Sequence, residues 1–125
     1  MTASERALEI AVAAARAASS RKAEEIIALD VSERLVLTDV FLMASGTNER
    51  QVVAIVDAVE ESLHAIGVKA LRREGVREGR WALLDFGEVV VHVQHAEDRM
   101  YYALERLWAD CPVVGLPADV TEEAR

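Results

Sequence analysis

The sequence holds a single cysteine, Cys111, among its 125 residues. One cysteine excludes an internal disulfide and fits a reducing, cytoplasmic setting. No apolar run approaches the roughly 18 residues that a membrane-crossing helix needs. The opening stretch MTASERALEI puts Glu5 and Arg6 ahead of an alanine-rich run, with no basic start followed by an apolar segment. No secretory signal is therefore expected. Positive charge is also in deficit: 14 Lys and Arg stand against 22 Asp and Glu, a net charge of −8. Nucleic-acid binding draws most of its affinity from Lys and Arg on phosphates, so little or no direct binding is expected. The most basic segment, KALRREGVREGR (69–80), is interrupted by Glu74 and Glu78 and reads as a solvated loop. An acidic domain is steered toward basic protein partners instead.

What is present is a globular composition, 52% apolar and 29% charged. A chain of this length forms one core and needs neither a disulfide nor a metal to hold it. We expect a single domain over 1–116 and a flexible tail over 117–125. Helical periodicity covers 3–21, with Ala7, Leu8, Ala11, Ala14, Ala15 and Ala18 on one stripe and Thr2 and Glu5 at capping-box spacing. Two β-type runs follow, EEIIALDVS and DVFLMASG, separated by the polar ERLVLTD region. Thr47 and Asn48 cap a second helix whose stripe is Val52, Ile55, Val56, Val59, Leu63 and Ile66, and Gly67 stops it. VKALRRE is a candidate third strand, the segment 80–94 a hairpin, and 96–109 a final helix with Met100, Ala103, Leu104, Leu107 and Trp108 as its stripe. The order α-β-β-α-β-β-β-α predicts an α/β domain with a mixed sheet of about five strands and packed helices.

The hairpin RWALLDFGEVVVHVQ carries the most information. Gly87-Glu88 suits a two-residue turn with glycine at its first central position. Phe86 then pairs with Val89, Leu84 with Val91 and Ala82 with Val93, a wholly apolar face. Trp81, Leu83 and Asp85 fall on the opposite face, across from Gln94, His92 and Val90. A one-residue slip would exchange the two faces, so the pattern selects the register. The outcome is an exposed face that mixes Trp, Leu, Asp and His.

Three chemistries compete for these residues. Asp85 and His92 lie about two pair positions apart, and no serine or cysteine nucleophile accompanies them, which argues against a hydrolytic dyad. His92 and His95 point to opposite faces of a strand and His64 stands alone on a helix, so no convergent metal set forms. The ASGTNER turn (44–50) offers backbone N–H groups at a helix start, a possible anion site similar to that of nucleotidyltransferases. Those enzymes follow it with paired carboxylates on a strand. Here Asp57 lies inside the helix and DFGE (85–88) belongs to the hairpin, so a capped helix start is the simpler reading. No cofactor is expected. In the last helix, Arg99 and Tyr102 either pack as ordinary helix residues or extend the hairpin face.

Three motifs in order, DVFLMASGTNERQVVAI, EGVREGRWALLDFGEVVVHV and RMYYALERLW, resemble the ribosomal silencing factors, also called the Iojap family. The resemblance covers residues 5–115. It rests most on Trp81, Leu83, Asp85, Phe86, Gly87, Val89, Val91 and His92, then Arg99, Tyr102, Leu104, Glu105, Leu107 and Trp108. It implies a non-enzymatic role: binding the large ribosomal subunit through its fourteenth protein, a basic β-barrel, obstructing subunit joining and lowering translation when nutrients are short. It also implies a fold related to nucleotidyltransferases but without the metal carboxylates, and homodimers. Gln94 departs from relatives, which often carry an apolar residue there.

On that reading Trp81 and Leu83 are the desolvated anchors. Asp85 accepts from a Lys or Arg of the partner, with Glu74 close by. His92 donates a hydrogen bond or orients Asp85, and Arg99 and Tyr102 widen the contact. The competing readings are a nucleotidyltransferase-like enzyme and a generic homodimerisation module using the same face.

Overall fold

A computed structural model describes the backbone of residues 2–102 and 104–123; the side chains of 100–105 and 121–123 lie outside the described set. The elements run α1 (Glu5–Ser20), β1 (Glu24–Asp30), β2 (Val40–Gly46), α2 (Glu49–Ala65), β3 (Arg72–Glu74), β4 (Trp81–Asp85) and β5 (Val89–His95). They continue as α3 (Ala96–Tyr102), α4 (Leu104–Leu107), β6 (Val113–Val114) and α5 (Ala118–Glu123). Among the described residues the strands form one six-stranded sheet in the order β3-β4-β5-β2-β1-β6. Only β2 and β5 pair in parallel; the other neighbours are antiparallel. The mixed α/β class and the first eight elements follow the expected order. The sixth strand is two residues long and pairs with Ala28 and Leu29 just after Pro112, too short a run for alternation to show.

The principal core lies between one sheet face and α1 with α2. Ala7, Ala11, Ala14 and Ala18 of α1 and Val52, Ile55, Val56, Val59 and Leu63 of α2 meet Val40, Leu42, Ala82, Leu84, Val89, Val91 and Val93. The small α1 side chains let that helix sit close to its neighbours. Ile66, expected on the stripe, is 44% exposed, because α2 ends at Ala65 and Gly67 turns the chain with φ +81°. A second cluster, Leu29, Val31, Phe41, Met43, Val90 and Cys111, covers part of the other sheet face.

The helix caps differ in detail from the expectation. Ser4, not Thr2, caps α1, its hydroxyl accepting from the Ala7 amide at 3.0 Å. Asn48 caps α2 by accepting from the Gln51 amide at 2.8 Å. Asn48→Ala should cost about 1 kcal/mol of folding stability, measurable as a lower denaturant midpoint with an unchanged slope.

In the C-terminal segment, 118–123 is helical and Val120 is fully buried in the principal core. Its carbonyl accepts from the Ser19 hydroxyl, and Asp119 pairs with Arg16. A single buried valine in a polar stretch leaves no periodic signal. Of the expected final stripe, Ala103 and the side chains of Met100 and Leu104 lie outside what is described, Trp108 packs on the second cluster, and Leu107 is 67% exposed.

Candidate partner-binding face

The hairpin forms in the expected register. Trp81 pairs with Gln94, Leu83 with His92 and Asp85 with Val90, while Ala82, Leu84 and Phe86 turn to the helix side. Gly87 takes φ +90°, which supplies the tight turn at no steric cost. On the far side, β3 adds Glu74 beside Leu83 and Arg72 beside Asp85. Because alternate residues share a face, Arg72, Glu74, Leu83, Asp85 and Trp81 stand on the side away from α1 and α2.

These residues do not share one environment. Trp81, Leu83 and Asp85 are half-buried and Glu74 is exposed, so this end of the face is open. His92 and Gln94, expected on the open face, are 7% and 0% exposed. The reason is their position in β5, which is flanked by β2 and β4 and covered on both faces. Central strands are normally enclosed in this way.

Asp85 spends one carboxylate oxygen on the Gly87 amide at 2.8 Å, an Asx-type turn bond that holds the hairpin tip. His92 does not hydrogen-bond Asp85, whose carboxylate turns to the Gly87 amide. Its Nδ1 instead accepts from the Trp81 indole N–H at 3.2 Å. Burial alone pushes the imidazole pKa down to about 4, so the ring is neutral at physiological pH.

Arg99 is buried as well. It is 4% exposed, its Nη1 donates to the Ser45 hydroxyl at 2.9 Å, and its Nε lies 3.6 Å from Glu25. A guanidinium so placed fastens α3 to β2 and β1 and cannot extend a contact surface. Glu25 reaches it from a register irregularity in β1, where its φ is +49°. Tyr102 keeps only its backbone placement in α3, since its side chain lies outside the described residues.

Several contributors were missed from the sequence. Arg80, read as part of a solvated loop, clasps Asp98 at 2.7 Å, Glu49 at 3.0 Å and Glu97 at 3.8 Å. It thereby ties the start of β4 to α2 and α3. Gly75 is also specifically required: with φ +71°, a Cβ there would lie 2.1 Å from the Trp81 carbonyl oxygen. The loop can pass this close to the tryptophan backbone only as glycine. The 31–39 loop holds Leu35 inward against the second cluster and leaves Val36 and Leu37 97% and 83% exposed. Three apolar residues inside ERLVLTD were the available signal.

Electrostatics and turn chemistry narrow the options further. Arg72 pairs with Glu74 at 3.0 Å, Arg73 with Glu60 at 3.1 Å, and Arg80 with three acids, so much of the basic 69–80 segment is internally neutralised. The Thr47 amide at the start of α2 is bound by the Gln51 side chain at 2.7 Å, which occupies the would-be anion turn. No group of three metal-ligating side chains converges among the described residues. No helix there is long and apolar enough to cross a membrane.

Comparison with known proteins gives this face a context. The family model described as "Ribosomal silencing factor during starvation" matches residues 4–125. Ribosomal silencing factor RsfS of Bacillus subtilis is 41% identical over 103 residues, 82% of this chain and 87% of that protein. A crystal structure of protein CV0518 from Chromobacterium violaceum superposes with a TM-score of 0.79 at 38% identity, covering 82% of this chain and 85% of that one. A more distant relative, the mouse "Mitochondrial assembly of ribosomal large subunit protein 1", is 30% identical over 89 residues, 69% of this chain and 39% of that protein. Motifs, fold and matches agree along nearly the whole chain, which belongs to the ribosomal silencing factor family.

Proposed function

We propose that this chain binds the large ribosomal subunit through a basic β-barrel protein of that subunit, the fourteenth, and sterically blocks the small subunit from joining. Translation is thereby repressed when nutrients are short. The observation that carries this reading is the open end of the hairpin face. There a half-buried Trp81 and Leu83 sit beside Asp85, Glu74 and the Arg72 that pairs with Glu74, an apolar centre with a charged rim whose balance is one negative charge. Binding energy concentrates in a few such anchors, and rim charges steer the encounter with an oppositely charged partner.

The role is one of occupancy and needs no catalysis, cofactor or metal. The net charge of −8 disfavours bare RNA, and the setting we propose is the cytoplasm. The relative whose name mentions the large subunit supports the choice of subunit. A homodimer using the same face would compete with the ribosome for it.

Sedimentation of purified protein with isolated subunits tests this directly. The expected result is co-pelleting with large subunits, none with small ones, and suppression of subunit joining followed by light scattering. Joining that proceeds normally in saturating protein would refute the mechanism. A self-associated form that vanishes as large subunits are added would place the dimer contact on this face.

A further inference from the structure

We propose that His92 is the positioning residue of this face: it holds the Trp81 indole in the single orientation in which the ring meets the partner. The inference rests on the reading of Trp81 as an anchor. Trp81 and His92 are diagonal neighbours on one sheet face, because Trp81 pairs with Gln94 and Leu83 with His92. The indole N–H donates to Nδ1 at 3.2 Å, with the ring centroids 6.4 Å apart and tilted by 57°. Accepting at Nδ1 assigns the proton of the neutral ring to Nε2.

His92 is itself packed against other rings. His92 meets Phe41 edge-on at 5.5 Å, Phe41 meets Trp108 edge-on at 4.9 Å, and the Arg34 guanidinium lies 4.7 Å over Trp108. Arg34 is held in turn by Asp110 at 2.7 Å. This chain of contacts leads from the proposed anchor through the second cluster to the Arg34–Asp110 pair.

Packing alone does not require a histidine here. An indole N–H turned toward the surface can be satisfied by water, so this bond is not the one way to meet the Trp81 donor. Burying an imidazole costs solvation, and an apolar side chain would fill the same space without that cost. What the histidine adds is an acceptor fixed at one point on the N–H edge of the indole. An anchor that is ordered before binding does not lose that freedom on binding. If the indole occupied its competent orientation only a tenth of the time, the apparent affinity would fall about tenfold.

The test uses the full chain and purified large subunits, comparing wild type with His92→Phe, His92→Asn and Trp81→Ala. Phenylalanine keeps a ring against Phe41 but removes the acceptor; asparagine offers an oxygen near the position of Nδ1. His92→Leu is the acceptor-free alternative if phenylalanine does not fold. The acceptor-free variant should keep its cooperative melt, lose hydrogen-exchange protection at the Trp81 indole N–H, and bind about tenfold more weakly. His92→Asn should restore the protection and most of the affinity. Wild-type affinity in the acceptor-free variant, with binding lost in Trp81→Ala, would overturn the positioning role and leave the anchor intact. So would an equal loss in His92→Asn despite a wild-type indole signal. Wild-type affinity in Trp81→Ala would instead overturn the anchor reading itself.

Discussion

Replacing Trp81 with alanine is expected to weaken binding to the large subunit by about 30-fold or more, roughly 2 kcal/mol. The effect should be large because Trp81 is the largest apolar side chain at the open end of the face, and Leu83 alone beside it buries much less area. The helix-side core, where Ala82, Leu84, Val91 and Val93 pack, is untouched by the change, so the fold should persist. Some stability will be lost, because the His92 Nδ1 then loses its indole donor; an unmet acceptor costs on the order of 1 kcal/mol. Far-UV circular dichroism separates that loss from the binding defect. A pelleting titration at fixed salt then reads the affinity, and an unchanged dissociation constant would remove Trp81 from the contact.

The second large effect concerns acid. Burial depresses the folded-state pKa of His92 from 6.5 to about 4. Above pH 6.5 the ring is neutral in both the folded and unfolded chains, and its stability contribution is fully present. As the pH falls from 6.5 to 4, the unfolded chain takes up a proton that the folded one refuses, and stability drops. The loss reaches about 3 kcal/mol by pH 4 and levels off below it. Asp30 adds to acid sensitivity at lower pH. Burial acts to raise its pKa, but hydrogen bonds from the Ser32 hydroxyl and amide and from the Ala3 amide outweigh it, leaving the pKa below 3.8.

Urea unfolding of wild type and His92→Phe at several pH values isolates the histidine. Between neutrality and pH 4 the wild type should lose about 3 kcal/mol more than the variant. Equal pH slopes in the two proteins would show that His92 is not the buried neutral base the structure describes.

Both predictions turn on a hairpin whose geometry was largely legible in advance. The alternation in WALLDFGEVVV, with Gly87 at the turn, specified the pairing of Ala82 with Val93 and Leu84 with Val91. It did so because the wrong register would put every apolar side chain of the strands on the wrong face. The same logic of local period gave α2, its Asn48 cap and its Gly67 stop. The motifs around Trp81, Asp85 and His92 were enough to place the chain in its family.

Burial on the other face was not legible, because it depends on what lies over that face. His92 and Gln94 alternate with valines as an exposed polar set would. They are enclosed because β2 runs alongside β5 and the segment after α3 brings Trp108 over Phe41. Arg99 is buried for a related reason. Its guanidinium finds Ser45, 54 residues earlier, and Glu25 from the irregular start of β1. Contacts between residues this distant in sequence leave no local period to read. The sequence by itself determined the elements, the hairpin register and the family, because periodicity and turn residues act over a few positions. Only the tertiary structure decided which polar residues of the hairpin face remain open to a partner, because burial is set by the segments that pack above it.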